Sequence, residues 1–387
     1  MLIKIRKAIR TLAFFSLIAC IGSCGGDNDS TENANQAATR SFKMGFTPWL
    51  YAANLDAQAL TYNRLAAHGD LIKHHLQGGI PWEEALNEAA YPNNVEVNVA
   101  GRLANTADSL SVFLAIDSLN TLRDGLAPYW AEAENQDLPE PWASRTWSSS
   151  EVITAYTNFA MSMIERFQPD YFEYGTEVSE LIVNDRDGFL DYLIFAQQVY
   201  TIIKARFPNL KLITSVALKS PGSPEMQQIA QDFPAILPYT DVVGISVYPY
   251  VFFNHADRGN PANLPETWLS QILSFTSGKP LAISETGWIG ESLVIGDFQY
   301  SETSNPTFQN AFCETMLTNA EELGMEFVIW WTIADFDTLW NNELQQSPLA
   351  KIWKDIGFYD ENQQERPALS TWQTWLQREH VPSSSQP

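Results

Sequence analysis

Residues 281–290 read LAISETGWIG, an apolar run that ends in a carboxylate. Leu281, Ala282 and Ile283 follow one another without the alternation of a half-buried strand, which is typical of a strand covered on both faces, as in a parallel sheet. Glu285 ends the run, just before a Thr-Gly-Trp turn. Packing a buried strand does not need an ionisable side chain, and desolvating one is unfavourable. The stretch therefore predicts a fold in which the ends of buried strands carry chemistry.

Other stretches have the same character, short and apolar, and each is separated from the next by an amphipathic segment of helical length. With 280–285 they make eight predicted strands, the others being 42–48, 71–75, 111–117, 171–177, 211–217, 241–249 and 326–331. The segment 267–278 is among the predicted helices. This alternation predicts a single (β/α)8 TIM barrel, in class α/β. An open doubly wound sheet would carry a glycine-rich turn after its first strand, and TPWLYAANLD (47–56) has no G-x-G-x-x-G pattern, so a nucleotide site is disfavoured.

The N-terminal segment predicts export. Four basic residues in the first ten precede a short apolar run, and Cys20 and Cys24 both stand where a bacterial lipoprotein signal would be cut and acylated. An ordinary cleaved signal is the alternative. The predicted organisation is a lipoprotein signal region at 1–24, a flexible linker at 25–41, the barrel at 42–380 and a disordered tail at 381–387.

Charge and cysteine usage narrow the class of partner. The net charge is −23, and loss of the four basic residues of the signal region makes the mature chain −27. Such a surface repels nucleic acid and anionic lipid, so nucleic-acid binding is excluded and a neutral ligand is favoured. Cys313 is the one cysteine of the predicted barrel, so we expect no disulfide there. No metal-ligand spacing is present, and we expect no cofactor and a monomer.

Two carboxylates close predicted strands. Glu177 ends the fourth, in YFEYGTEVSEL, and Glu285 ends the seventh. In a barrel these ends form the rim that carries active sites. A carboxylate pair is the minimal machinery for cleaving a glycosidic bond. Either glutamate alone could simply cap its loop, but the occurrence of both favours catalysis.

The ISETGW stretch resembles the nucleophile strand of the retaining β-glycosidases of clan A, which are (β/α)8 barrels, and especially of the endo-β-1,4-galactanases of family 53 and the endo-β-1,3-glucanases of family 17. The resemblance implies that Glu285 is the nucleophile and Glu177 the acid/base. It also implies that Glu177 is protonated and Glu285 ionised when the bond breaks. Retaining geometry predicts a separation of about 5–5.5 Å between their side chains.

The same resemblance implies further substrate contacts. Tyr248, in SVYPY, matches the residue that hydrogen-bonds the nucleophile. Trp331, in FVIWWT, matches the aromatic floor under the sugar, and because strand side chains alternate, we favour it over Trp330. Thr176 departs from the pattern, since related enzymes carry Asn directly before the acid/base. This departure leaves the sugar specificity open.

Other rim positions are candidates with a packing alternative. His75 and Asp117, at the ends of the second and third strands, could contact sugar hydroxyls, and His74 must face away from His75. Trp49 could form a platform, and we expect Trp288 to line the cleft wall. The long connection 118–149 contains Tyr129, Trp130, Trp142 and Trp147 and is expected on the active-site face.

The sequence thus predicts a retaining glycoside hydrolase that acts on a neutral β-linked polysaccharide, and the aromatic connection favours endo action. The resemblance implies that the substrate is β-1,4-galactan or β-1,3-glucan, and β-mannan is the next candidate. The alternative is a non-catalytic surface glycan-binding lipoprotein. Neither Cys20 nor Cys24 is followed by Asp, so we expect a lipid anchor in the outer membrane of a bacterial cell envelope.

Overall fold

The computed structural model describes residues 38–382, and eight parallel strands in this range close into a barrel. The strands are β1 (Lys43–Phe46), β2 (Leu71–Leu76), β3 (Ser111–Ile116), β4 (Tyr171–Gly175), β5 (Lys211–Ala217), β6 (Val242–Val247), β7 (Leu281–Thr286) and β8 (Phe327–Trp330). Each strand pairs with its sequence neighbours, and β8 closes the ring on β1. The predicted TIM barrel is confirmed, and each predicted strand overlaps an observed one.

Helices occupy the connections and form the outer layer. They are α1 (Leu55–His68), α2 (Trp82–Leu86), α3 (Asn93–Asn105), α4 (Ser150–Phe167), α5 (Ser179–Asn184), α6 (Arg186–Arg206), α7 (Pro224–Asp232), α8 (Pro249–Phe252), α9 (Pro306–Glu322), α10 (Asp337–Asn342) and α11 (Pro367–Leu376). Short 3-10 turns lie at Trp142–Ser144, Phe233–Tyr239, Pro261–Asn263, Ser270–Ser274, Gly296–Phe298 and Ala350–Trp353. Within 38–382, a helix with the length and hydropathy to cross a bilayer is not found.

The helix predicted at 267–278 is wrong. Between β6 and β7 the chain forms only the short helix α8 and two 3-10 turns, the second at Ser270–Ser274. The apolar residues Trp268, Leu269 and Ile272 are buried, whereas Leu273 is exposed. The segment therefore keeps its buried face in a tighter turn geometry, which is common in short connectors.

The barrel interior changes from apolar to polar along its axis. The layer nearest the amino-terminal ends of the strands is an apolar cluster, made of Leu71, Phe113, Ala115, Tyr171, Ile213, Val242, Ala282, Phe327 and Ile329. Two residues further along β2 and β4, the inward side chains are Lys73 and Glu173, which pair with each other. Because strand side chains alternate, the next inward residues reach the carboxyl-terminal rim. The polar side chains of the candidate site lie at this rim.

Two strands of the barrel carry a register irregularity, and they are β4 and β7. Along β4, Glu173 and Gly175 pair with consecutive residues of β5. Along β7, Ile283 and Glu285 pair with consecutive residues of β6, and the register against β8 also shifts at this point. An extra residue of this kind is a β-bulge, which bends the strand and re-aims its side chains. The strands with bulges are therefore the two that lead to Glu177 and Glu285.

The chain ends of the described region lie together, which corrects two predicted boundaries. Thr39–Arg40 pairs in parallel with Glu379–His380, and the Arg40 guanidinium contacts Asp70 at 2.6 Å. The backbone N–H of Val381 donates to the Arg40 carbonyl. Residues 39–41 are thus part of the folded domain and not of a linker, and residue 381 is not in a disordered tail. The predictions for Cys20, Cys24, the rest of 1–37 and 383–387 fall outside the described residues.

Candidate active site

Glu285 lies near the end of β7, where the bulge changes the direction of its side chain. Ala282 belongs to the interior cluster, so strict alternation would place Ser284 inside and Glu285 outside. Instead the carboxylate of Glu285 accepts a hydrogen bond from the Tyr248 hydroxyl at 2.8 Å, and Lys73 Nζ lies 3.6 Å away. Tyr248 directly follows β6. These contacts place Glu285 in the barrel mouth, as predicted for a catalytic carboxylate.

Lys73 joins Glu285 to a carboxylate deeper in the barrel. Its ammonium lies 3.2 Å from Glu173, and both side chains are almost completely buried. It also donates to the carbonyl of Ser284, the residue before Glu285. Burial lowers the pKa of Lys73, but the adjacent Glu173 and Glu285 outweigh it and raise the pKa above its ordinary value. Lys73 is therefore a cation that fixes both the side chain and the backbone at Glu285.

Glu177 does not lie in β4 itself but two residues beyond its end. Its φ of 50° is in the left-handed region, which a residue other than glycine adopts only at a conformational cost. The backbone N–H of Glu177 donates to Ser215 Oγ at 2.7 Å, and Ser246 Oγ donates to its carboxylate at 2.8 Å. Side chains of β5 and β6 thus hold the strained turn and orient the carboxylate.

A chain of polar contacts runs from β2 to Glu177. Gln77 donates to His75 Nδ1, so His75 carries its proton on Nε2 and donates to Asp117 at 2.8 Å. Arg123 contacts Asp117 at 3.2 Å and Glu177 at 3.3 Å. Burial raises the pKa of Asp117, but Arg123 and His75 outweigh it and hold this pKa well below its usual range. The predicted residues His75 and Asp117 are therefore brought into the site.

Thr176 also belongs to this group, since it is buried next to Asp117. His74 faces the other way, as predicted. Its Nε2 is hydrogen-bonded to the Thr106 hydroxyl, and its ring packs against Phe167.

The two carboxylates have different environments in the free protein. Burial raises the pKa of Glu177, but Arg123 and the Ser246 hydroxyl outweigh it, so the pKa lies below its ordinary value. Burial also raises the pKa of Glu285, and the charge of Glu177 adds to this effect, so the pKa lies above its ordinary value although Lys73 opposes the shift. The environments thus separate the two pKa values, and the protonation states at the moment of bond cleavage stay a prediction.

Aromatic side chains form one side of the site. Trp331 follows β8 and packs against Trp49, Phe336 and Trp353, with ring centroids 5.0, 5.7 and 5.8 Å away. Trp330 is fully buried on the helix side, where its Nε1 donates to the Ile356 carbonyl. The choice of Trp331 as the inward tryptophan thus agrees with the observed packing, and Trp49 lies beside it.

Two aromatic residues of this group were missed from the sequence. Trp353 packs against Tyr248 at 5.8 Å, and Phe252 packs against both. The indole N–H of Trp353 has no hydrogen-bond partner among the described residues, and neither has that of Trp49. Phe252 is 43% exposed. No strand precedes Trp353 directly, so strand-end reasoning could not find it; its signal was an aromatic residue in a segment between helices.

Trp288 does not line the cleft, which corrects its prediction. The side chain is fully buried, stacks on Phe312 of α9 at a centroid distance of 4.5 Å, and donates from Nε1 to the Gly259 carbonyl. The turn at Gly287 thus carries the chain away from the mouth and buries Trp288 between β7 and its following helix. Trp288 is a core residue.

The aromatic residues of the connection 118–149 are also structural. Trp142 stacks on Trp82, Trp147 packs on Tyr192, and Trp130 packs on Phe159; the three tryptophans are buried. The connection covers α2, α4 and α6 and is not an aromatic cleft wall. The residue that it contributes to the site is Arg123.

Acidic groups that could hold a metal ion lie near Asp335, outside the site. One combines Asp335 with Glu291 and Glu361, the other with Asp337 and Asp355. Arg366 bonds Asp335 and Glu291, and Lys354 contacts Asp337 and Asp355. These two cations contact four of the five carboxylates, so each group already contains a protein cation in an ion-pair network.

No protein-family model and no curated protein matches the sequence. Solved structures do match. The GH53 catalytic domain of Ignisphaera aggregans is 13% identical with a TM-score of 0.53, over 81% of this chain and 87% of that one. An exo-β-1,4-mannosidase from Opitutaceae bacterium strain TAV5 is 11% identical with a TM-score of 0.57, over 90% and 62%.

A β-D-glucuronidase of Dictyoglomus thermophilum is 14% identical with a TM-score of 0.52, over 89% of this chain and 51% of that chain. The chain thus spans less than two thirds of the mannosidase and the glucuronidase. At these identities the similarity shows the fold: the chain is similar to glycoside hydrolases, and the resemblance to clan A barrels is confirmed at this level.

Proposed function

We propose that the protein is a retaining β-glycosidase. The observation that carries this proposal is the pair Glu177 and Glu285, which stand at the ends of β4 and β7 and act electrostatically on each other. Each is oriented by hydroxyl groups, from Ser246 and Tyr248. Beside them Trp331, Trp49 and Trp353 offer the apolar surface on which the face of a sugar ring packs.

The roles follow from the contacts and from the family resemblance. Glu177 donates its proton to the glycosidic oxygen while Glu285 attacks the anomeric carbon, so the C–O bond breaks as an ester to Glu285 forms. Glu177 then takes a proton from water, and this water displaces Glu285 and restores both carboxyl groups. Tyr248 holds the attacking oxygen, and Lys73 holds the backbone behind it.

The substrate that fits is neutral. The three Lys or Arg side chains that contact acidic residues around the pair are already matched within the protein: Lys73 by Glu173, Arg123 by Asp117, and Lys219 by Glu180. A uronic acid needs a cation that is free to receive it. We therefore propose a neutral β-linked glycan, with β-1,4-galactan and β-1,3-glucan first and β-mannan next, over the uronides of the glucuronidase neighbour.

A substrate panel tests this proposal. Purified protein is incubated with galactan, β-1,3-glucan, mannan and aryl β-glucuronide, and reducing ends are followed over time. We expect cleavage of a neutral glycan and none of the uronide. The tryptophans of 118–149 are buried, so the argument for endo action does not hold, and the product lengths decide between endo and exo action. Proton NMR of the first product should show the β-anomer.

Variants separate the two roles. Glu285→Gln should abolish hydrolysis while sparing oligosaccharide binding. With azide, Glu177→Ala should yield a β-glycosyl azide and Glu285→Ala an α-glycosyl azide, because azide replaces water in the first case and the nucleophile in the second. If wild type and Glu285→Gln both bind a glycan and neither cleaves any member of the panel, the glycan-binding lipoprotein is the correct function.

We also propose that the protein is a lipoprotein of the bacterial envelope, anchored through Cys20 or Cys24. The support is the sequence of the N-terminal segment alone. Labelled palmitate should be incorporated into the wild type and lost in one of the two single variants, Cys20→Ala or Cys24→Ala. If neither the wild type nor the variants incorporate palmitate, the N-terminal segment is an ordinary cleaved signal and not a lipoprotein signal.

A further inference from the structure

Arg123 is presented to the site by a tight turn of the connection after β3. The backbone N–H of Asn120 donates to the Gly125 carbonyl, and that of Arg123 donates to the Asn120 carbonyl. Asn184 of α5 holds the turn through the Leu122 carbonyl. Arg123 itself has φ 55°, a conformation that arginine rarely adopts. Such strain persists only where the surroundings hold it, so the position of this side chain is well determined.

The guanidinium of Arg123 lies between two carboxylates. Its Nη1 donates to Asp117 at 3.2 Å, while Nε and Nη2 both donate to the same oxygen of Glu177 at 3.3 Å. The side chain is only 12% exposed. The other oxygen of Glu177 accepts from Ser246. Both oxygens of Glu177 are therefore engaged in the free protein.

These two contacts differ in what they allow Glu177 to do. A serine hydroxyl can donate or accept, so Ser246 can bond a carboxylate or a carboxylic acid. A guanidinium can only donate, and its bond to a charged carboxylate is stronger than its bond to the carbonyl oxygen of a neutral acid, so Arg123 favours the carboxylate. The proposed reaction needs a proton on Glu177 at the moment when the glycosidic bond breaks. The Arg123 contact is thus weaker in the reactive state than in the free protein.

We propose that Arg123 is a positioning residue that orients Glu177 and holds it as a carboxylate in the free enzyme, and that this contact weakens when Glu177 takes up the proton that the reaction uses. The inference rests on the proposed glycosidase function. Asp117 remains bonded to Nη1 when the Glu177 contact weakens, so the guanidinium keeps a charged partner.

Other charged and titratable groups also face Glu177. They are Asp117 from the end of β3, Glu180 of α5, Lys219 after β5, Tyr248 after β6 and Glu285 of β7. Of these only Lys219 is a cation, and it is bonded to Glu180 at 2.5 Å. Without Arg123, burial and neighbouring carboxylates would therefore dominate the environment of Glu177.

The test is the titration of Glu177 itself. The full chain is labelled at the glutamate side-chain carboxyl carbon, and the Glu177 signal is identified by its absence in Glu177→Gln. In Arg123→Met we expect this signal to titrate about one pH unit or more higher than in the wild type, the size that loss of a contacting opposite charge has. Arg123→Lys, which keeps the charge, should titrate near the wild type.

A matched control is Arg145→Met, on the same connection. Arg145 pairs with Glu151 at 3.2 Å and stacks on Trp142, away from the site. This variant should leave the Glu177 titration unchanged. If Arg123→Met does not fold, Arg123→Gln serves instead, since its amide can still donate to Asp117 without carrying a charge.

The outcomes are separable from the proposed function. An unchanged Glu177 titration in folded Arg123→Met would overturn the inference, whether or not the wild type cleaves a glycan. If the wild type cleaves, the basic limb of the pH profile of kcat/KM, which reports the general acid, should move to higher pH in Arg123→Met, in the same direction as the Glu177 titration. A basic limb that keeps its wild-type position in folded Arg123→Met would overturn the inference too.

Discussion

Lys73 is a lysine in the middle of a strand whose six residues are all buried. Desolvating an ammonium is expensive, and this one persists because Glu173 and Glu285 lie on either side of it. The cluster therefore contains two carboxylates and one cation in the barrel interior. Lys73 also bonds the backbone of Ser284, so it fixes the position of Glu285. The same side chain is therefore expected to affect both stability and the proposed catalysis.

Lys73→Met should be strongly destabilising, since it leaves Glu173 buried without its charge partner. We expect a loss of about 3–5 kcal/mol in the free energy of unfolding at pH 7, measured by urea denaturation. The double variant Lys73→Met/Glu173→Gln removes the orphaned charge and should recover about 2 kcal/mol of this loss. Equal stability of the single and double variants would show that Glu173 is not ionised in the fold.

Tyr248→Phe should reduce catalysis with little loss of stability. The hydroxyl donates to Glu285 at 2.8 Å, and a hydrogen bond to a charged group contributes about 1.5–3 kcal/mol, so kcat should fall about ten- to a hundredfold. Tyr174→Phe is the control, because that buried hydroxyl donates only to the Tyr239 carbonyl outside the site. Its kcat should match the wild type. A similar kcat loss in both variants would point to general loosening of the barrel.

At the scale of elements, the bulges of β4 and β7 explain why the sequence located the site but did not predict the directions of its side chains. The apolar runs identify all eight strands and the two glutamates at their ends. Strict alternation, however, would turn Glu285 away from the mouth, and only the extra residue in β7 brings it inside. Glu177 is likewise aimed by a left-handed backbone turn. The extra residue of β7 is Ser284 and the left-handed residue is Glu177, so neither position is marked by a glycine or proline of its own.

The other incorrect predictions depend on contacts between side chains that are far apart in the sequence. Trp288 and the tryptophans of 118–149 are equally compatible, as residue types, with a core and with a sugar-binding wall, and only the packing of α9, α4 and α6 decides between them. The direction in which the pKa of Glu177 is shifted in the free protein depends on Arg123, which lies 54 residues before Glu177, so the strand ends alone could not predict it. A lysine in the buried run LIKHH was a signal that the sequence did offer.

Two tryptophans in neighbouring connections give an element-scale test. Trp288→Phe, after β7, should lower the free energy of unfolding by about 1–3 kcal/mol through lost packing and a lost hydrogen bond, without changing KM. Trp353→Phe, after α10, should instead raise KM about three- to tenfold with little change in stability, because its N–H has no partner within residues 38–382 and is available to a sugar hydroxyl. A KM effect at Trp288 would reverse its assignment to the core.

At the scale of the whole molecule, stability depends on pH through groups of opposite sign. Burial raises the pKa of Asp355 to about 6, although Lys354 opposes the shift. Burial lowers the pKa of His74 well below its ordinary value, and Arg102 adds to this effect. In the folded state Asp355 takes up its proton at higher pH than in the unfolded state, and His74 at lower pH. The two groups therefore change the free energy of unfolding in opposite directions as the pH falls.

Asp355→Asn and His74→Gln should show this opposition when urea denaturation is repeated from pH 7.5 to 4. As the pH falls from about 6 toward 3.8, the folded protein binds the Asp355 proton first, so the wild type should gain about 2–3 kcal/mol relative to Asp355→Asn. As the pH falls below 6.5, the unfolded chain binds the His74 proton first, so the wild type should lose stability relative to His74→Gln. Differences of the same sign for both variants would mean that one of these side chains is not held in the buried environment described, since burial disfavours the charged form of an acid and of a base alike.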